Sequence, residues 1–120
     1  MKTIAIAFLL PVCLALTPAC SSDDPVEAAE ADVVHVTISS NQFDPPSVTI
    51  KAGQTVRWTW SGGTHNVVSG AECGTPDQKF KSGAPIGGGT YEHLFETAGS
   101  FPYYCEPHCG QGMKGTIVVE

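Results

Sequence analysis

The sequence predicts one small all-β domain, an antiparallel sandwich or barrel of about seven short strands. Short runs rich in β-branched residues recur along the chain, and Gly and Pro fill the gaps between them. No stretch reads as a helix. A chain of 120 residues has room for one domain, and 42 % hydrophobic against 15 % charged residues marks one that folds.

The first element is a targeting segment. Lys2 gives it a positive head, and residues 4–16 form an apolar run broken by Pro11. That run is short of the ~20 residues that span a bilayer, and small residues follow it, so it reads as a secretory signal. An uncleaved membrane anchor is the plainer alternative. Thr17-Pro18-Ala19-Cys20 resembles the lipobox of bacterial lipoproteins, with Thr17 where Leu is usual. That resemblance implies lipid on Cys20 and a periplasmic, membrane-tethered product; ordinary cleavage after Ala19 is the alternative. The expected organisation is a signal peptide over 1–19, a flexible acidic tether over 20–32 and the folded domain over 33–120.

The domain then unfolds strand by strand. Residues 33–38 alternate and are β-branched; 47–50 follow Pro45-Pro46; 54–60 follow the turn Lys51-Ala52-Gly53. Residues 66–68 form a short apolar stretch. Residues 69–90 are Gly-rich and weakly periodic, a long surface excursion with Phe80 and Ile86 pinned to the core. Residues 91–96 and 101–105 flank a turn at Gly99, and 116–119 close the chain. Alternation puts Phe101, Tyr103 and Cys105 on one inward face and turns Tyr104 outward.

Charge narrows the function. The formal net charge is −6, and Asp23, Asp24, Glu27, Glu30 and Asp32 crowd the tether without a base between them. From Val33 onward seven acids stand against five bases, a net −2. That balance argues against nucleic acid as a partner and does not assure a docking face of strong single sign.

The chemistry lies in Cys105-Glu106-Pro107-His108-Cys109-Gly110-Gln111-Gly112-Met113. A thiolate, an imidazole and a thioether fall within nine residues at the mouth of a strand. Soft sulfur with imidazole suits copper, and two His and one Cys with a long axial Met make the blue-copper arrangement. The second histidine must come from elsewhere; His65, in the turn Gly62-Gly63-Thr64-His65-Asn66, is the best placed.

These motifs resemble the plastocyanin-like cupredoxins, the type 1 blue-copper family. The Cys-x2-His-x4-Met loop, the Tyr before the Cys and Gly115 after the Met match its carboxyl-terminal half. Pro46, Gly53, Trp58 and the His65-Asn66 pair match its amino-terminal half. The resemblance implies a Greek-key β-sandwich or barrel of about seven to eight strands. It implies one copper ion, with His65, Cys105 and His108 equatorial and Met113 axial. It also implies a hydrogen bond from the Asn66 main chain to the cysteine sulfur, and Tyr104 as a contact point for a redox partner. The function implied is single-electron transfer between larger redox proteins by a monomer that is not an enzyme. Periplasmic copper binding and delivery is the competing function, and a non-redox interaction module a third.

Cys73 and Cys109 depart from the family pattern. In an exported chain they suit a Cys73–Cys109 disulfide. Two other readings use the same residues. Cys105-x3-Cys109 has the thiolate spacing of a dinuclear copper site, though Met113 stands where that site wants His. A structural zinc on Cys73, Cys105, His108 and Cys109 would leave His65 and Met113 without a role. His35 and His93 read as structural residues of strands.

Overall fold

A computed structural model describes residues 32–120. The expected signal peptide, the lipidation candidate Cys20 and the expected tether up to residue 31 lie outside the described residues. Eight strands are present: β1 (Val33–Ser39), β2 (Gln42–Asp44), β3 (Ser47–Ile50), β4 (Gln54–Trp60), β5 (Val68–Ser69), β6 (Thr90–Phe95), β7 (Gly99–Tyr104) and β8 (Lys114–Val119). They form two four-stranded sheets, ordered β2-β1-β4-β6 and β3-β8-β7-β5. A 3₁₀ turn, Glu106–Gln111, interrupts the strands between β7 and β8.

The sandwich is not antiparallel throughout. β1 runs parallel to β4, pairing Val33 with Thr55 and Ile38 with Trp60, and β3 runs parallel to β8. The cause is the path of the chain. After the β1–β2 hairpin it crosses to the second sheet as β3, then returns to the first as β4 beside β1. Alternation within a strand fixes which face is buried and is silent on the direction of its neighbour.

Period-two patterning builds the core. Val36 and Ile38 of β1, Val56, Trp58 and Trp60 of β4, Phe95 of β6, Tyr103 of β7 and Ile117 and Val119 of β8 all turn inward. Trp58 is the hub: its ring stacks on Tyr91 at 5.5 Å and on Phe80 at 5.8 Å, and Tyr103 meets it edge-on at 5.4 Å. Opposite Tyr103 sits Gly115, where a Cβ would lie 2.3 Å from the tyrosine ring. Only glycine lets that ring lie against β8.

The 69–90 excursion is tied down by hydrogen bonds rather than by sheet. The Ser69 hydroxyl accepts the N–H groups of Lys79 and Phe80 at 3.0 and 2.9 Å. Ser82 Oγ accepts the Val67 N–H at 2.8 Å, and the Ser82 N–H returns to the Val67 carbonyl at 2.8 Å. Phe80 is buried in the core as expected. Ile86 is not: it is 42 % exposed and meets the domain through its backbone, which bridges to His65. His93 packs on the Phe80 and Phe95 rings, whereas His35 lies on the exposed face of β1.

Candidate metal centre

Three donors converge where the sheets end. His65 leaves β4 through a turn that needs glycine at position 63. Gly63 has φ +77°, and a Cβ there would stand 2.5 Å from His65 Nε2. The backbone around His65 is fully engaged. Its N–H donates to the Ile86 carbonyl at 3.0 Å; its own carbonyl accepts Ile86 N–H at 2.9 Å and the Trp60 indole N–H at 2.8 Å. The imidazole is thereby held, buried, with Nδ1 facing the second donor segment.

That segment begins where β7 stops. Cys105 is fully buried, and its N–H donates to the Met113 carbonyl at 3.1 Å, closing the nine-residue loop on itself. Pro107 suits the first turn of the 3₁₀ element, where its missing N–H costs nothing. Gly112, at φ +88°, ends the turn, donating its N–H to the Cys109 carbonyl at 3.0 Å. His108, half-buried, is brought back over the cysteine.

The resulting distances are short and mutual. Cys105 Sγ lies 3.7 Å from His65 Nδ1 and 3.5 Å from His108 Nδ1, and the two Nδ1 atoms are 3.1 Å apart. Metal–imidazole and metal–thiolate bonds of about 2.0–2.3 Å at trigonal angles would set such donors about 3.5–3.8 Å apart. The two sulfur–nitrogen distances fall in that range, and the 3.1 Å between the Nδ1 atoms corresponds to a narrower angle of about 100° at one ion; the softness of the set suits copper. Met113 is fully buried in the same core cluster as Cys105, on the loop the two residues close.

Burial disfavours the charged form of both kinds of donor. Burial pushes the Cys105 thiol up, while hydrogen bonds from the main-chain N–H groups of Asn66 and His108 pull it down; the Glu106 carboxylate pushes it up again. Burial, then the neighbouring His108, lowers the pKa of His65, with the Gly62 carbonyl opposing. A neutral imidazole is the form that binds metal.

Cys73 and Cys109 are joined by a disulfide, their Cα atoms 5.7 Å apart. Cys105 is the free cysteine among the described residues. The disulfide removes Cys73 and Cys109 as thiolate ligands, so neither the dinuclear copper reading nor the zinc reading has its donors.

Tyr104 corrects an expectation. It does turn away from the main core, but it is only 2 % exposed and packs with Val68 and Cys109. The excursion, stapled by the disulfide, covers the outer face of β7. A Cβ on Gly70 would stand 3.1 Å from the Tyr104 ring. Tyr104 is thus no surface contact for a partner.

Other contributors escaped the sequence. Besides its N–H, Asn66 uses its buried side chain: Oδ1 accepts the Glu106 N–H at 2.9 Å, and Nδ2 donates to the Gly83 carbonyl at 3.0 Å and to Glu106 Oε1 at 3.2 Å. Glu106 Oε1 also pairs with Lys81 Nζ at 2.7 Å. The signal for Glu106 was its place beside Cys105; nothing in the sequence marks Lys81.

The chain is similar in sequence and fold to known proteins. The family described as copper binding proteins, plastocyanin/azurin family, matches residues 31–120. A plastocyanin from Scenedesmus fuscus is 46 % identical over 86 residues, spanning 65 % of this chain and 86 % of that protein. A halocyanin from Natronomonas pharaonis is 40 % identical over 100 residues, spanning 78 % of this chain and 60 % of that protein. Among solved structures, amicyanin from Paracoccus versutus superposes with a TM-score of 0.60 at 36 % identity, covering 75 % of this chain and 83 % of that one.

Proposed function

The chain belongs to the plastocyanin/azurin family of copper-binding proteins, and from that premise we propose that His65, Cys105 and His108 hold its copper ion equatorially, with Met113 as the axial sulfur. The function is electron transfer at a single blue-copper centre. The observation that carries the ligand assignment is the triangle of Nδ1, Nδ1 and Sγ atoms at 3.1–3.7 Å. Bound copper supplies one-electron Cu(II)/Cu(I) chemistry and an intense thiolate charge-transfer band.

The residues supply the rest. His65 is clamped by three hydrogen bonds to its main chain, two with the Ile86 backbone and one from the Trp60 indole, and Cys105 by the β7–β8 junction, so the donor set is rigid. A rigid set suited to both oxidation states keeps the reorganisation accompanying each electron small. The Asn66 N–H withdraws density from the sulfur. His108, half-buried while His65 is 1 % exposed, is the route from the centre to the surface.

The finer reading is a monomeric, non-enzymatic shuttle between larger redox proteins, exported and tethered through lipid on Cys20. The disulfide supports export, since such bonds persist in oxidising compartments. The test is the visible spectrum of the copper-loaded mature protein, with voltammetry. A thiolate band lost in Cys105→Ser and a reversible one-electron wave are expected. A colourless holoprotein overturns the assignment, and copper that leaves on each reduction favours delivery.

A further inference from the structure

Glu106 is the residue between the copper thiolate and the loop that carries His108, and it is held from three sides. Its N–H donates to Asn66 Oδ1, its carboxylate accepts Asn66 Nδ2 at 3.2 Å, and the same oxygen pairs with Lys81 at 2.7 Å. Lys81 comes from the excursion, which the Ser82–Val67 hydrogen bonds and the disulfide fix in place. Both charged side chains are about half exposed, 42 % for Glu106 and 52 % for Lys81. Two opposite charges therefore stand in fixed positions beside the centre, the negative one attached to the residue next to Cys105.

Charge so placed acts on the redox equilibrium. The oxidised centre carries one more positive charge than the reduced one. A neighbouring carboxylate stabilises the oxidised state, and a neighbouring ammonium opposes it. Resting on the copper reading above, we propose that the Glu106–Lys81 pair sets the reduction potential of the centre, Glu106 lowering it and Lys81 raising it. Direct binding of the metal plays no part: both side chains act through their field and are positioning residues.

The pair predicts signs, which a merely structural tie does not. Copper-loaded full-length protein is compared with Glu106→Gln, Lys81→Met and the double variant by voltammetry and visible spectroscopy at low and high salt. Glu106→Gln keeps an oxygen for the Asn66 amide, and Lys81 is at the surface. Glu106→Gln raises the potential and Lys81→Met lowers it, each by a roughly threefold to tenfold change in the redox equilibrium, ~30 to ~60 mV for one electron. The double variant returns toward the parent, the thiolate band stays in place, and high salt shrinks both shifts. Lys81→Glu, at the same half-exposed position, lowers the potential further than Lys81→Met. Shifts of one sign in both single variants, no shift, or a displaced band overturns the proposal. A parent with no thiolate band or wave instead overturns the copper reading on which it rests.

Discussion

The two segments that supply the donors are built in opposite ways. The turn carrying His65 is buried and held by groups of other elements, the Trp60 indole at the end of β4 and the Ile86 backbone of the excursion, and by the close approach of Gly63. The segment 105–113 carries Cys105, His108 and Met113 within nine residues, sits half in solvent at His108, and is held by its own closing hydrogen bonds and one covalent bond. A ligand that the fold delivers inherits the rigidity of the fold. One that a short surface turn delivers needs a staple, and Cys109, next to His108, provides it.

The largest effect tests the donor set that both segments share. Cys105→Ser abolishes the intense visible band, since an alkoxide-bearing side chain gives no thiolate transition, while the two-sheet fold persists by circular dichroism. Next comes the staple. Replacing both Cys73 and Cys109 by Ala removes a cross-link across a sequence separation of 36 and lowers stability by roughly 4 kcal/mol, read by denaturant titration. It should also speed loss of copper; a variant as stable and as copper-retentive as the parent would break the contrast between the segments.

Smaller effects sharpen the other half. Asn66→Ala, which strips a buried side chain of three hydrogen bonds linking the His65 turn to Glu106 and Gly83, costs about 1–3 kcal/mol in the same titration. Trp60→Phe removes the indole donor to the His65 carbonyl and costs about 1 kcal/mol, with broadening of the His65 ring signals by NMR. Arg57→Ala lies away from both segments, where Arg57 pairs with Glu92 on the outer face of β4 and β6. It should cost under about 1 kcal/mol and leave the band alone.

Legibility in the sequence followed this contrast. Strands 47–50 and 54–60 were readable to the residue because their periodicity is clean and turns bound them. Of the residues the structure brings together, Cys105 and His108 were readable from spacing, and His65 from its place in the 62–66 turn. β2 was missed because three residues, Gln42–Asp44, carry too little pattern to stand out. The parallel pairings were invisible because direction leaves no trace in alternation. Tyr104 was misread for a related reason. Its outward direction was legible, but the segment covering it has no periodicity and closes through a disulfide partner 36 positions away. Ile86 was misread because its backbone, and not its side chain, is what the fold uses.

The parallel register of β1 and β4 has a mechanical consequence. Val33 enters the sheet opposite Thr55, at the pole where the 51–54 turn and Glu120 meet. β4 then runs the length of the sandwich before delivering His65 at the other pole. Whatever is attached ahead of β1 therefore grips the domain by its blunt end, and the centre is carried at the free end, like the tip of a probe.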